Sequence, residues 1–390
     1  MKIGIDKIGF YTPHLYVDMN KLAEARGVEP AKFTIGIGQS EMSVAPLTQD
    51  PVTLAANAAL DMLDETDRAH IDMVLFGTES GIDHSKAAAV YVHRLLDLKP
   101  EARAVELKQA CYGATAAIQL AKGHIALNPD SKVLVLASDI ARYGLNTPGE
   151  STQGAGAVAL IISANPRVLE LDDETVYYTS DIMDFWRPVY SNTAYVDGKF
   201  SNEQYMAFFK QVWEQYKEKS NRSIHDMEAI CFHMPYTKMG LKALRQILDE
   251  GNEADQQRLQ DHYQTSTTYN RNVGNIYTGS LYLSLLSLLE QAENIQSGAR
   301  IGMYSYGSGA VGEFFSGVLA EHFRENLYLD RHRELFAERK EISIAEYEEQ
   351  FVKTLPTDGS TLELDITKDP ASICVTGITE HMRQYTNKNK

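Results

Sequence analysis

The sequence predicts an α/β protein with a mixed sheet, built from two similar halves. Two observations carry that expectation. Short continuous apolar runs such as Ile71–Phe76 and Lys132–Ala137 alternate with stretches of helical spacing such as Thr53–Leu63. Strands buried on both faces read as such runs, and their alternation with helices defines the α/β class. The second observation is an internal echo. VLVLAS followed by GAGAVALII in the first half matches IGMYSYGSGAVGEFF in the second, each reading strand, Gly-X-Gly-Ala-Val, strand.

In chain order, residues 1–17 open as a strand, Leu22–Arg26 begins a helix, and Phe33–Ser43 is Gly-containing and irregular. Thr53–Leu63 is helical, with Leu54, Ala55, Ala58, Ala59 and Met62 on one face. Strand Ile71–Phe76 runs into Gly77-Thr78-Glu79-Ser80-Gly81, and Ser85–Leu96 is helical. Ala104–Leu107 ends a strand just before Cys111, after which small residues lead into a helix. Lys132–Ala137 and Ala157–Ile162 are strands flanking a Gly-, Thr- and Pro-containing loop, Tyr143–Gln153. The second half gives strand Met227–Met234, helices Thr237–Leu248 and Gly279–Leu289, then strands Arg300–Tyr306 and Ala310–Val318. Residues 321–370 read as polar surface helix and loop, and Pro370–Tyr385 as a last strand and helix.

Composition bounds the function. With 390 residues, 44% hydrophobic and 23% charged, the chain can bury a large core. A formal net charge of −16 argues against nucleic acid or an anionic membrane surface as partner. No apolar run is long enough to span a bilayer, and the N-terminus alternates like a strand instead of carrying the apolar stretch of a signal peptide. Cys111, Cys231 and Cys374 are odd in number and far apart, which fits a reduced, cytoplasmic protein. No H-E-x-x-H, P-loop or paired C-x-x-C motif supports metal chemistry or nucleotide hydrolysis.

Candidate chemistry starts at Cys111. A cysteine between a strand and a helix N-terminus has backbone N–H groups and the helix dipole aimed at its sulfur, both favouring the nucleophilic thiolate. The plainer alternative is a small buried hydrophobe. Glu79 stands at the end of a buried strand, where desolvation lifts a carboxyl toward the range of a general base; a solvent-facing loop acid is the alternative. His233 also follows a strand. Lys238, Lys242 and Arg245 after it share one helix face, a seat for phosphate groups or simply a solvated stripe. Asn275, in a turn before an apolar helix, serves as a cap, as an active-site amide, or as both. Gly307-Ser308-Gly309-Ala310-Val311-Gly312 matches G-x-G-x-x-G, but Val311–Val318 reads as a strand where a dinucleotide site needs a helix. The turn is better read as bringing backbone N–H groups to a ligand oxygen.

Seven motifs together resemble 3-hydroxy-3-methylglutaryl-CoA (HMG-CoA) synthases of the compact bacterial type. They are Gly77-Thr78-Glu79-Ser80, Ala110-Cys111-Tyr112-Gly113-Ala114-Thr115, Ser151 to Val158, Asp184-Phe185-Trp186-Arg187-Pro188, His233 to Gly240, Gly274 to Ser280, and Ser305 to Val311. The resemblance covers residues 1–385. It departs at Gln109, where the pattern usually has Glu, and at Ser151, where it usually has Pro. Cys, His and Asn alone would also suit a ketoacyl-acyl-carrier-protein synthase of the type that starts fatty-acid synthesis. Glu79 in its Gly-Thr-Glu-Ser setting tips the choice. A non-catalytic acyl-CoA-binding scaffold is the reading from a different class.

The resemblance implies a thiolase-like, five-layered αβαβα fold of two pseudo-symmetric halves, residues 1–170 and 171–390, and a homodimer. It implies acetyl-CoA and acetoacetyl-CoA as substrates, with no metal or redox cofactor. Cys111 would carry an acetyl thioester, with backbone N–H groups of Cys111 and Ser308 holding the oxyanion. Glu79 would move protons, and His233 with Asn275 would hold the acetoacetyl group. Lys238 and Lys242 would face CoA, while Tyr143, Thr152, Phe185, Ser201 and Pro235 would line the acyl pocket and the CoA tunnel.

Overall fold

The computed structural model describes residues 1–191 and 193–390. Nine strands make its main sheet: β1 (Ile3–Tyr11), β2 (Ile71–Gly77), β3 (Arg103–Leu107), β4 (Lys132–Ala141), β5 (Gly154–Ala164), β6 (Leu169–Thr179), β7 (Ala229–Phe232), β8 (Arg300–Gly307) and β9 (Val311–Leu319). Their spatial order is β7-β8-β9-β6-β1-β5-β4-β2-β3. The first-half strands run β1-β5-β4-β2-β3, with two antiparallel pairings and then two parallel ones. The second-half strands run β6-β9-β8-β7, antiparallel twice and then parallel. The pattern repeats, less a fifth strand. β1 and β6 join the sets through a short register, Gly4 opposite Glu170 and Ile5 opposite Leu169.

Helices α1 (Pro51–Leu60), α2 (Ala88–Leu95), α3 (Gly113–Leu127), α4 (Gly198–Ser220), α5 (Thr237–Leu244) and α6 (Ser280–Gln291) complete the layers. Asp50 and Thr53 form a capping box on α1, with Pro51 in its first turn, so this helix starts where both its backbone and its dipole favour it. α1 packs on β1, β4 and β5, α3 packs on β2, β4 and β5, and α4 covers β6 and β9. α6 lies against β7 and β8 and is buried on every side from Ser280 to Glu290, as an all-round apolar helix must be. Thr115 of α3 bonds the Tyr282 hydroxyl of α6 at 2.7 Å and Ser305 of β8 at 2.8 Å, which links the two halves through the central helical layer. The result is helix, sheet, helix, sheet, helix.

The structure differs from the sequence expectations at several points. Residues 1–17 form two strands, Ile3–Tyr11 and Leu15–Asp18, broken around Pro13, which has no N–H for the ladder. Phe33–Ser43 holds a π-helical turn, Lys32–Ile37, and the start of a strand, Glu41–Val44. The helix expected over Thr237–Leu248 ends at Leu244. The C-terminus carries no helix after its strand; Ile373–Thr379 and Met382–Asn387 pair as a hairpin instead. Its turn residues Glu380 and His381 both take positive φ (48° and 66°), the geometry that matches strand twist in tight hairpins.

Candidate active site

Cys111 and Glu79 meet because two strand ends and one helix start converge. β2 ends at Gly77, whose backbone presses on the first turn of α3: a Cβ there would lie 2.5 Å from Ala114 N. Only glycine allows that approach, and it brings the Gly77–Gly81 loop over the nucleophile. Cys111 itself follows Ala110, whose φ of 42° is left-handed, a strain of ~1–3 kcal/mol for a residue with a Cβ. α3 starts without a side-chain cap, so its first N–H groups are not claimed by a capping residue. The Cys111 thiol donates to Glu79 Oε1 at 3.2 Å.

Burial, with the nearby Asp139 charge, pushes the Glu79 carboxyl up to about 8. The same two influences, burial first and then the neighbouring carboxylates of Glu79 and Asp139, raise the Cys111 thiol well above its ordinary value. This corrects the expectation of a resting thiolate. The helix N-terminus is outweighed by loss of water and by two acids, and the resting thiol keeps its proton.

Asp139, near the end of β4 and wholly buried, holds the Glu79 loop. Its Oδ1 accepts from Thr78 Oγ1 (2.8 Å), Glu79 N (2.9 Å) and Ser80 N (3.0 Å). Its Oδ2 accepts from Thr278 N (3.1 Å) and Thr278 Oγ1 (2.6 Å), so one carboxylate ties the Glu79 loop to the Asn275 turn of the other half.

In the second half, His233 follows β7 directly and is 2% exposed. Its backbone is fixed: its N–H donates to Tyr304 O at 2.8 Å, and its carbonyl accepts from the Tyr205 hydroxyl at 2.6 Å. Burial lowers its imidazole to about 3, so the ring is neutral at ordinary pH. Its Nδ1 is buried and finds no hydrogen-bond partner among the described residues. Asn275 is not the cap of α6, which starts from Gly279 without a side-chain cap; its side chain makes an Asx turn ahead of that helix. Its Oδ1 accepts from Tyr277 N (2.8 Å) and Ser280 Oγ (3.0 Å) ahead of α6, while its Nδ2 donates to the Tyr143 hydroxyl at 3.3 Å. Gly274 makes the turn possible: at φ 89° it packs so tightly on Gln153 O that any side chain would collide.

Tyr143, Phe185 and Tyr277 form an aromatic cluster beside this amide, with ring centroids 6.0–6.2 Å apart. Ser201, in the first turn of α4, donates to Asp184 Oδ2 at 3.0 Å, and Asp184 Oδ1 accepts from Gly309 N at 2.8 Å. Ser201 therefore steadies the Gly307–Gly309 turn through Asp184. A strand follows that turn, as expected, and Gln109 Nε2 pins the turn to the nucleophile loop through Ser308 O at 3.1 Å. An ionised Glu at 109 could not donate this bond. Thr152 is not drawn into the cluster; its hydroxyl donates to Gly149 O within its own turn, and the neighbouring Gln153 side chain holds Tyr143 N at 2.7 Å. Pro235 is half-buried between β7 and α5. Lys238 is half-exposed and Lys242 exposed, with Lys242 Nζ 3.2 Å from the Tyr236 hydroxyl.

The sequence reading gives no role to Asp139, nor to Asp184 and Tyr277, which stand within motifs of the resemblance. Asp139 had a usable signal: it follows the apolar run Val133–Ala137 much as Glu79 follows Val74–Phe76. Among the described residues no group of His, Cys, Asp and Glu is arranged to hold a metal ion.

A buried acid against the sulfur of a cysteine at a strand–helix junction, within a fold of two repeated halves, places the chain among the thiolase-like acyltransferases. Comparison with known proteins narrows the class. The sequence model described as hydroxymethylglutaryl-coenzyme A synthase N terminal matches residues 1–167, and its C-terminal companion matches 173–262 and 245–358. A hydroxymethylglutaryl-CoA synthase of Enterococcus faecalis is 52% identical over 388 residues, covering 99% of this chain and 100% of that protein. A crystal structure of HMG-CoA synthase complexed with CoA superposes with a TM-score of 0.96 at 46% identity, covering 99% of this chain and 100% of the other. A structure of MvaS in complex with 3-hydroxy-3-methylglutaryl coenzyme A gives a TM-score of 0.89 at 34% identity, covering 99% of each chain. The chain belongs to the HMG-CoA synthase family.

Proposed function

We propose that the protein is an acyltransferase that condenses acetyl-CoA with acetoacetyl-CoA and water to give (S)-3-hydroxy-3-methylglutaryl-CoA and CoA, an early step of the mevalonate route to isoprenoids. Cys111 takes the acetyl group from acetyl-CoA, and its thiol proton leaves with CoA. Glu79, as carboxylate, removes a proton from the acetyl methyl. The resulting carbon nucleophile attacks the ketone of acetoacetyl-CoA, and Glu79, now an acid, protonates the alkoxide. Water then cleaves the enzyme thioester and frees the new carboxylate. One observation carries this reading: Glu79 Oε1 lies 3.2 Å from Cys111 Sγ, within reach of a methyl group two bonds beyond that sulfur.

The neutral His233 ring and the Asn275 amide support roles in holding and polarising the acetoacetyl ketone. Backbone N–H groups of Cys111 and Ser308 are assigned to the oxyanion, in line with the uncapped start of α3. Tyr143, Phe185 and Pro235 are assigned to the acyl pocket, with Thr152 and Ser201 at its margin. Lys238 and Lys242 are assigned to the phosphates of CoA. The chemistry needs only CoA thioesters and water.

A homodimer and a cytoplasmic location complete the proposal. β3 is one of the two edges of the nine-stranded sheet, and Val105 on it is 45% exposed, as an edge to be covered by a second copy would be. Mass measurement in solution should return twice the chain mass. All three cysteines are free, which suits a reducing compartment, and among the described residues no helix is long and apolar enough to cross a membrane. The function is tested by products: acetyl-CoA with acetoacetyl-CoA should yield HMG-CoA, whereas turnover of malonyl-carrier substrates instead would favour a ketoacyl synthase.

A further inference from the structure

A further buried acid stands behind the nucleophile, and the reaction described above does not use it. Glu313 lies in the middle of β9, on a strand that is otherwise apolar or small, and is 1% exposed. It faces α3. Its Oε2 accepts from the Tyr112 hydroxyl at 2.5 Å, and its Oε1 accepts from Gln119 Nε2 at 2.7 Å and from the Thr175 hydroxyl. Tyr112 is the residue after Cys111, and Gln119 lies two turns further along the same helix. Glu313 thus reaches from the second-half sheet to two points on the helix that presents the thiol.

A carboxyl is disfavoured in an apolar strand unless donors meet it, so the position needs an explanation beyond packing. Tyr112 supplies one. Its ring leaves the backbone against the β8–β9 turn: a Cβ at Gly307 would lie 2.6 Å from Tyr112 Cβ. Its N–H donates to Gln109 O at 3.0 Å, and the Gln109 side chain holds Ser308 O. The direction of the Tyr112 side chain therefore sets the gap between Cys111 and the Ser308 turn, the two groups assigned to the oxyanion.

We propose that Glu313 is a positioning residue: by accepting the Tyr112 hydroxyl it fixes the spacing between Cys111 and the Gly307–Gly309 turn during acetyl transfer. The inference rests on the acetyl-enzyme reading of the site. A nucleophile displaced by a fraction of an ångström still folds and still binds, but attacks slowly.

The test is single-turnover acetylation with labelled acetyl-CoA, in which the amplitude reports the folded fraction and the rate constant reports alignment. Glu313→Leu and Tyr112→Phe should each lower the rate ~10-fold or more with near-full amplitude. The double variant should be no slower than the slower single one, because both remove the same bond. Glu313→Gln keeps an acceptor for Tyr112 and should stay near the wild-type rate. If Glu313→Leu does not fold, Tyr112→Phe and Glu313→Gln decide the matter alone. Tyr112→Phe at the wild-type rate, a loss confined to amplitude, or losses that multiply in the double variant would each overturn the assignment. A wild-type protein that takes up no acetyl group would instead overturn the acetyl-enzyme reading, and this inference with it.

Discussion

Glu79 is the residue on which the chemistry turns, and its environment makes a measurable demand on stability. An ordinary Glu has a value of 4.5; in the fold burial carries Glu79 to about 8. Between those values the unfolded chain has released the proton while the folded chain retains it. Stability therefore falls as pH rises from 4.5 to about 8. Glu79→Gln removes the group that must ionise, so the variant should gain on the wild type at pH 9 and not at pH 4, by roughly 1–4 kcal/mol on the scale of such shifts. Chemical denaturation at the two pH values measures it, and an equal gain at both would mean that Glu79 ionises without cost. At this scale the placing of Glu79 and His233 just after apolar strands, and of Cys111 just before a helix, was legible from the runs that flank them. Asp139 was not, since its role exists only once Thr78 and Thr278, far apart in sequence, close on the same carboxylate. The protonated state of the thiol was not legible either: it follows from acids that the fold brings close.

Among the elements, the join between β2 and α3 decides whether Glu79 can reach Cys111. It depends on Gly77, where a Cβ would strike the backbone of Gly113 and Ala114. Backbone on both sides leaves no flexible group to yield. Gly77→Val should therefore push the β2 loop off α3 and lower the acetylation and condensation rates by ~10²-fold, the scale of an ångström misplacement. A Gly77→Val protein with wild-type rates would show that the close approach is not needed. Elements with one strong period were readable from sequence: α1, α3 and α6 among helices, and β2, β4, β5 and β8 among strands. β6 was missed because Asp172, Asp173 and Glu174 interrupt its apolar pattern, and only part of it is buried. α4 was missed because its core face of Tyr205, Phe208, Phe209, Val212, Trp213 and Tyr216 is set in a strongly polar sequence. The C-terminal hairpin hid behind residues that take positive φ without being glycine.

At the scale of the whole molecule, the repeated pairing pattern gives each half an equivalent strand end and helix start. β2 delivers Glu79 and its counterpart β7 delivers His233; α3 begins after Cys111 and its counterpart α6 begins after Asn275. The β4–β5 and β8–β9 connections carry Tyr143 and Ser308, and each is bonded across the halves, Tyr143 by Asn275 and Ser308 by Gln109. In the proposed mechanism one fold unit supplies nucleophile and base, and its repeat supplies the groups for the second carbonyl. The short Gly-X-Gly-Ala-Val echo made this duplication visible in the sequence, while the absence of a fifth strand from the second set did not show there. The central claim is that Cys111 carries an acetyl group which Glu79 turns into a nucleophile. Mass spectrometry of wild type, Cys111→Ala and Glu79→Ala after exposure to acetyl-CoA, followed by addition of acetoacetyl-CoA, tests it most directly. The account predicts one acetyl group on Cys111 in wild type and in Glu79→Ala, none in Cys111→Ala, and release as HMG-CoA from wild type alone. An acetyl group on no cysteine, or Glu79→Ala that condenses at the wild-type rate, would contradict it.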